Sequence, residues 1–176
     1  MPEERRGVVT LGGSPITLVG PDLKEGDVVP DVKLTAEDLS EVSPLEQSRD
    51  KAARLFVIVP SLDTSVCSLE TKKFSDAARE IGDRVAVYGV SADLPFAMKR
   101  WCGAEGVENV TMLSDYRARV LGRAWGVLMK ESDLLARAVF VIDRSDRIIY
   151  REIVPEIASE PDYDAALDAA RAAAGA

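Results

Sequence analysis

The sequence predicts an α/β fold with a mixed central sheet flanked by helices. From Arg54 onward, short apolar runs alternate with stretches of helical periodicity, an order typical of β-α-β units. The run from Leu55 to Val59 is apolar throughout, which indicates a strand buried on both faces. A length of 176 residues, 47% of them hydrophobic, suits one domain with a sizeable core. We therefore expect a flexible tail over residues 1–7 and a single domain over residues 8–176.

The N-terminal part of the chain predicts a β-hairpin in front of the central sheet. Val8 to Leu11 and Ile16 to Val19 are short apolar strands on either side of the turn-forming stretch Gly12-Gly13-Ser14-Pro15. Val32 to Thr35 is a further extended segment. The stretch from Glu41 to Asp50 is expected to be a connecting loop.

The central sheet is expected to begin with the strand from Leu55 to Val59, which Pro60 ends. Apolar side chains then recur at helical spacing, and this pattern predicts a helix from about Val66 to Ile81. Gly82 supplies the helix stop. The next strand is predicted over Val85 to Ser91.

The second half of the chain continues the alternation. Asp93-Leu94-Pro95 predicts a helix start, because aspartate can cap free amides and proline is tolerated in a first turn. That helix would reach Trp101 or Cys102, and Gly103 can end it. The later elements are a strand at Val110 to Leu113, a short helix at Arg117 to Gly122, strands at Ala138 to Ile142 and Ile148 to Val154, and a helix opened by Pro161-Asp162 that includes the alanine-rich end Ala165 to Ala176. This order fits a thioredoxin-like three-layer fold.

Charge and hydropathy exclude several classes of partner. The chain has 22 basic and 30 acidic residues, a net charge of −8, and its basic residues form no cluster that would hold a nucleic acid. No apolar run approaches the roughly 20 residues that span a bilayer. Met1 to Gly7 lacks the apolar core of a secretory signal. We expect a cytoplasmic protein that binds neither nucleic acid nor membrane.

The absence of histidine is the most restrictive feature of the composition. It excludes Ser-His-Asp hydrolysis, Cys-His proteolysis and histidine-ligated zinc or haem. The two cysteines, Cys67 and Cys102, cannot form a four-thiolate metal site. We expect no metal and no organic cofactor. So few cysteines in a cytosolic chain point to thiols with a catalytic or redox role.

Cys67 falls in the first turn of the predicted helix, where free amides and the helix dipole favour a thiolate. Lowering a thiol pKa by two to three units needs roughly 3 to 4 kcal/mol. The dipole supplies at most about 2 kcal/mol. Further groups must therefore contribute: the hydroxyl of Thr64, and a guanidinium for which Arg137, directly before a buried strand, is our choice. Pro60 would shield the pocket from water.

Each of these residues also has a purely structural interpretation. Free cysteines are often inert core residues, Thr64 can simply cap a helix, Pro60 can simply end a strand, and Arg137 can be solvated. Cys102, 35 positions after Cys67, can pack in the core or capture an oxidised Cys67. A disulfide requires α-carbons within about 7 Å, so capture would need local unwinding of at least one helix.

The segment Pro60 to Cys67 has the spacing Pro-x-x-x-Thr-x-x-Cys, which resembles the active-site signature of the peroxiredoxins. Further stretches resemble their bacterial thiol peroxidase subfamily, an atypical two-cysteine type: Ser91 to Ala97, Cys102 to Gly106, Ala136 to Val139 and Glu160 to Tyr163. The likeness extends from Val8 to about Ala170. Ser65 stands where the subfamily commonly has glycine, and Lys72 where arginine is usual.

The resemblance implies a thioredoxin fold with an N-terminal hairpin, usually in a homodimer. It implies reduction of hydrogen peroxide and organic hydroperoxides, with thioredoxin as the electron donor. Cys67 matches the peroxidatic cysteine and Cys102 the resolving cysteine of the same subunit, so the implied redox disulfide is Cys67–Cys102. Thr64 and Pro60 match pocket residues, and Arg137 matches the arginine that steadies thiolate and peroxide.

Two other functions stay open at this point. A thioredoxin-like dithiol oxidoreductase normally uses a Cys-x-x-Cys pair, whereas Ser68, Leu69 and Glu70 follow Cys67 here. A redox sensor could form the same disulfide without meaningful turnover. Steady peroxide consumption indicates the enzyme, and a single stoichiometric oxidation indicates the sensor.

Overall fold

The computed structural model describes residues 1–175, and within them a seven-stranded and a four-stranded sheet are packed with five helices. The strands are β1 (Glu4–Leu11), β2 (Ser14–Val19), β3 (Leu34–Thr35), β4 (Glu41–Val42), β5 (Ala53–Ile58), β6 (Val85–Ser91), β7 (Thr111–Ser114), β8 (Leu128–Met129), β9 (Leu134–Leu135), β10 (Ala138–Asp143) and β11 (Ile148–Ile153). The helices are α1 (Pro44–Gln47), α2 (Ser65–Ile81), α3 (Pro95–Glu105), α4 (Val120–Trp125) and α5 (Tyr163–Gly175).

The large sheet is mixed, as the sequence predicts. Its strand order is β11-β10-β5-β6-β7-β3-β4, with β5, β6 and β7 parallel and β10 antiparallel to β5. The small sheet has the order β1-β2-β8-β9 and is antiparallel. The α/β architecture with an N-terminal hairpin is therefore confirmed.

Strand β5 shows why the sheet is covered on both faces. Because side chains alternate along a strand, Leu55 and Val57 join one core cluster and Phe56 and Ile58 join the other. The first cluster includes buried residues of the three longest helices, α2, α3 and α5: Cys67, Phe74, Met98, Ala166, Leu167 and Ala170. The second includes α4 and hairpin residues: Leu121, Trp125, Val9 and Leu18. The sheet thus forms the middle of three layers.

The hairpin begins earlier than the sequence predicts. Strand β1 starts at Glu4, which pairs with Val19, so residues 4–7 are strand and the predicted tail is wrong there. Gly12 and Gly13 form the turn with φ values of 57° and 83°. This left-handed backbone favours glycine and matches the twist of a two-residue hairpin.

Two other boundaries in the first two thirds of the chain differ from the predictions. The expected loop from Glu41 to Asp50 contains β4 and α1, and Ser43 caps α1 by accepting a hydrogen bond from Glu46 N at 3.2 Å. Helix α3 does not end at Gly103. It continues to Glu105, and Gly106 forms the left-handed cap with φ 67°.

The region before β10 also departs from the sequence-based interpretation. The predicted helix at Arg117 to Gly122 starts later, as α4, because Ala118 and Arg119 have left-handed φ values of 53° and 51°. The two-residue strands β8 and β9 were not predicted. The last helix follows Pro161-Asp162 as expected, and Ala176, the end of its predicted range, lies outside the described residues. Across residues 1–175, no helix is both long and apolar enough to cross a membrane.

Candidate active site

Cys67 lies in the first turn of α2, directly after the loop that leaves β5. Thr64 is the N-cap of this helix, with an extended backbone, and its Oγ1 accepts a hydrogen bond from Cys67 N at 3.4 Å. The cysteine is fully buried, with 0% of its surface exposed. The expected position of Cys67 at a helix start is therefore present, and the helix dipole favours an anion there.

Arg137 contacts the cysteine. Its Nη2 donates to Cys67 Sγ at 3.3 Å. The sheet explains this contact, because Ala138 on β10 pairs with Ile58 on β5, and Arg137 therefore stands beside the chain that leads to Cys67. The arginine is buried, so the alternative of a solvated side chain is wrong.

The guanidinium of Arg137 has two further partners that the sequence reading did not identify. Its Nη1 donates to Glu70 Oε2 at 2.5 Å, and its Nε donates to Ile157 O at 2.8 Å. Burial opposes the charge of Arg137, but the hydrogen bond and charge of Glu70, together with Cys67, outweigh it and raise the pKa of the arginine. A positive charge is thus fixed against the sulfur.

Glu70 is the acidic member of this network and is fully buried. Burial raises its pKa to about 7, and the hydrogen bond and charge of Arg137 oppose that rise. Glu70 Oε1 has no hydrogen-bond partner in the part of the chain described. The sequence indicates Glu70 only through its spacing: it lies three residues after Cys67 and therefore on the same face of α2.

Thr64 and Pro60 lie close to this network. The Thr64 hydroxyl donates to Ser61 O at 3.1 Å, so in this state its proton points to the loop and not to the sulfur. Thr64 thus caps the helix, as its purely structural interpretation predicts. Both residues line a cavity of about 290 Å³ that Arg137 also lines.

The wall of this cavity is mainly apolar. Its apolar side chains come from the small sheet with its hairpin, the loop after β5, α2 and the loop after β11: Leu11, Met129, Leu134, Pro60, Val66, Ile157 and Ala158. Arg137 is the charged group in the wall. The cavity is charged at the end near the cysteine and apolar elsewhere. It therefore suits a molecule with one polar end and one hydrocarbon end.

Cys102 lies in the last turn of α3 and is not bonded to Cys67; both cysteines are free thiols. Burial, with a contribution from Glu37, raises the pKa of Cys102 to about 11, so this thiol is protonated at neutral pH. Lys72 on α2 pairs with Glu105 on α3 and connects the two helices that carry the cysteines. The structure therefore brings Cys67, Thr64, Pro60 and Arg137 together, with Cys102 on a separate helix.

Asp93 does not play its predicted role. The N-cap of α3 is Leu94, without a side-chain cap hydrogen bond. The carboxylate of Asp93 turns to the loop before Cys67, where it accepts hydrogen bonds from Ser61 Oγ at 2.7 Å and Leu62 N at 2.8 Å. The side chain of Asp93 is directed to this loop and does not cap α3.

The Redoxin family model matches residues 24–167 of this sequence. The chain belongs to the Redoxin family. A thiol peroxidase of Listeria monocytogenes serotype 4b is 47% identical over 165 residues, which cover 94% of this chain and 98% of the relative. A thiol peroxidase of Bacillus subtilis is 44% identical over 164 residues, 93% of this chain and 96% of its own length.

The solved structures agree with this family. A peroxiredoxin-like protein from Aquifex aeolicus superposes with a TM-score of 0.86 and 39% identity, covering 97% of this chain and 99% of its own. The resemblance to the peroxiredoxins and the thioredoxin-like fold are thus confirmed, and with them the expectation of a thiol-dependent peroxidase.

Proposed function

We propose that Cys67 is the residue that reduces hydroperoxides in this thiol-dependent peroxidase. The observation that supports this most directly is the 3.3 Å contact between Arg137 Nη2 and Cys67 Sγ at the start of α2. A fixed guanidinium and a helix N-terminus both favour the thiolate, which is the nucleophilic form of cysteine. The chain supplies both at one sulfur.

In the first step the Cys67 thiolate attacks one peroxide oxygen. A sulfur–oxygen bond forms, the oxygen–oxygen bond breaks, and the alkoxide or hydroxide leaves and takes up a proton. Cys67 is oxidised by two electrons to a sulfenic acid, and the peroxide is reduced to an alcohol or water. Arg137 orients the peroxide and stabilises the charge that moves onto the leaving oxygen.

The substrates we propose are organic hydroperoxides as well as hydrogen peroxide. The apolar cavity of about 290 Å³ beside Arg137 supports an organic substrate, because it can hold a hydrocarbon group while the peroxide meets the guanidinium. Cys67 itself is fully buried, so a side chain of the cavity wall must move to admit the peroxide.

The second step we propose is attack by Cys102 on the sulfenic sulfur. Water leaves and a Cys67–Cys102 disulfide forms. In the structure the last turn of α3 holds Cys102, whose carbonyl accepts a hydrogen bond from Val107 N at 3.1 Å. Unwinding of this turn would free the cysteine to reach Cys67. It would also return the Cys102 pKa from about 11 toward the ordinary value of about 8.5 for a cysteine in water.

Thioredoxin is the reductant that we propose for the disulfide. Its dithiol would open the bond by exchange through a mixed disulfide, which returns both cysteines to thiols. Such a cycle depends on a reducing pool, so we place the protein in the cytoplasm. A homodimer is the assembly that the resemblance to the peroxiredoxins supports.

The test is peroxide consumption coupled to thioredoxin and its reductase. We expect steady turnover by the wild type and none by Cys67→Ser, because that variant lacks the nucleophile. Cys102→Ser is the matched control: it should consume one equivalent of peroxide and then stop. Turnover by Cys67→Ser would contradict the assignment. A wild type that is oxidised once and then stops would favour the redox sensor.

A further inference from the structure

We propose that Asp93 is a positioning residue for the reaction at Cys67, because its carboxylate fixes the loop that sets the first turn of α2. We call this loop, residues 60–64, the Cys67 loop. The inference rests on the proposed function of Cys67. Asp93 is not one of the residues that line the cavity, and it acts through its hydrogen bonds with Ser61 and Leu62.

The topology of the sheet brings Asp93 to this loop. Strands β5 and β6 are parallel neighbours, with Ile58 paired to Val90. The carboxyl ends of parallel neighbours lie at the same edge of a sheet, so the segments that leave them run side by side. The Cys67 loop leaves β5, and Asp93 follows the last residue of β6, Ser91, by two positions.

The carboxylate of Asp93 accepts three hydrogen bonds. Oδ1 accepts from Ser61 Oγ at 2.7 Å, and Oδ2 accepts from Leu62 N at 2.8 Å and from Ser91 Oγ at 2.6 Å. Leu62 is buried, so without Asp93 its amide would be a buried donor in need of a partner. The carboxylate therefore holds both a side chain and the backbone of the Cys67 loop.

A continuous series of hydrogen bonds leads from this anchor to Cys67. The carbonyl of Ser61 accepts from Thr64 Oγ1 at 3.1 Å and from Thr64 N at 3.3 Å. Thr64 Oγ1 in turn accepts from Cys67 N at 3.4 Å. Release of Ser61 and Leu62 would shift Thr64, which caps the helix and lines the cavity. A shift of about 1 Å at a reacting group can cost on the order of 10²-fold in rate.

The test compares two reagents at Cys67 in single-turnover reactions without reductant. We expect Asp93→Ala to slow oxidation of Cys67 by hydrogen peroxide at least about tenfold, since the peroxide reaction depends on the placement of Thr64 and Arg137. Alkylation by iodoacetamide needs the thiolate and access to it, but it does not need Thr64 and Arg137 placed around a peroxide, so its rate should stay within about threefold. Mass spectrometry of the Cys67 peptide measures both rates.

Two further variants separate positioning from simple stabilisation. Asp93→Asn should recover most of the peroxide rate, because its amide oxygen can accept from Leu62 N while its amide nitrogen donates to Ser61 Oγ. Ser61→Ala removes one of the three hydrogen bonds to the carboxylate, together with the bond from Asp63 N to Ser61 Oγ at 3.2 Å, but keeps the bond from Leu62 N to Asp93. It should give a smaller loss in the same direction. If Asp93→Ala does not fold, Ser61→Ala still decides the question.

Asp143→Ala is the matched control. Asp143 also anchors a loop, by accepting from Ser145 N at 2.8 Å and Arg147 N at 3.0 Å, but it lies at the opposite end of β10 from Arg137. In Asp143→Ala, peroxide should oxidise Cys67 at the wild-type rate.

Three results would overturn the inference. The first is a wild-type peroxide rate in Asp93→Ala or, if that variant does not fold, in Ser61→Ala. The other two are an equal loss of rate with both reagents, and no recovery of the peroxide rate in Asp93→Asn. A wild-type Cys67 that reacts with peroxide no faster than free cysteine would instead overturn the proposed function, and the role of Asp93 with it.

Discussion

Arg137 uses each nitrogen of its guanidinium on a different partner: Cys67, Glu70 and the carbonyl of Ile157. The planar fork of arginine makes this possible, whereas the single nitrogen of lysine could not keep all three contacts in the same geometry. The residue is therefore part of the buried core as well as of the site. Mutational data must separate these two contributions.

A double variant makes that separation. Arg137→Ala leaves the buried Glu70 carboxylate without its partner and should lower the free energy of unfolding by about 3 to 5 kcal/mol. Arg137→Ala combined with Glu70→Gln should recover part of that loss, because the glutamine carries no charge. Urea unfolding measures both. We expect peroxide reduction to stay low in both variants, and recovery of activity in the double variant would contradict a role for Arg137 in the reaction.

Glu70 also predicts a pH dependence of stability. Its ordinary pKa of 4.5 rises on folding to about 7 because the group is buried. Between these two values the folded chain binds more protons than the unfolded chain, so the contribution of Glu70 to stability falls as the pH rises through this window.

Glu70→Gln is the matched variant for this pH dependence, since the glutamine does not titrate. The free energy of unfolding of each chain is measured in urea between pH 4.5 and 7.5. The wild-type value minus the variant value should decrease as the pH rises. Asp115, whose pKa burial raises to about 6, contributes in the same direction in both chains and cancels in that difference. A difference that stays level or increases would contradict the assignment.

At the scale of elements, the end of α3 matters for the proposed second step, because its last turn carries Cys102. Three features hold its last turn: the left-handed cap at Gly106, the hydrogen bond from Val107 N to Cys102 O, and the ion pair between Lys72 and Glu105. The ion pair is partly exposed, with 42% and 34% of the two side chains accessible, so its contribution is small. It nevertheless joins α2 to the turn whose unwinding we propose for the second step.

Removal of that ion pair should speed the second step. We expect Lys72→Met to form the Cys67–Cys102 disulfide up to about fivefold faster after peroxide addition, since a partly exposed pair contributes roughly 1 kcal/mol or less. Lys73→Met is the matched control, because Lys73 pairs with Glu160 at 3.1 Å and not with α3. Quenched-flow mass spectrometry follows the disulfide. Equal rates in both variants would show that the pair does not restrain α3.

For the whole molecule, the site depends on how the two sheets meet. The hairpin is attached to the loop after β11 by Thr10, whose N donates to Pro155 O at 2.7 Å and whose O accepts from Ile157 N at 2.8 Å. The small sheet thereby brings Leu11, Met129 and Leu134 against the Cys67 loop as cavity wall. The segments that adjoin the large sheet supply Cys67, on the helix after β5, and Arg137, directly before β10. Neither sheet by itself forms the cavity.

Much of this arrangement follows from local sequence patterns. The sequence correctly predicts the helix after Pro60, the strand at Val85 to Ser91 and the hairpin around Gly12. These elements are predictable because hydrophobic period and turn residues act over a few positions. The boundaries that failed, at Gly103 and at Arg117 to Gly122, depend on which residue adopts a left-handed backbone. The hydrophobic period does not specify which residue that is.

The sequence by itself determined the order of the longer strands and helices and the placement of Cys67 three residues after its cap, since both depend on near neighbours along the chain. Only the tertiary structure decided that Asp93 anchors the Cys67 loop, that Glu70 pairs with Arg137, and that the small sheet forms the cavity wall. Arg137 and Cys67 are 70 residues apart and meet through the register of β10 on β5. Strand pairing of this kind depends on the packing of the whole core, which no local pattern specifies.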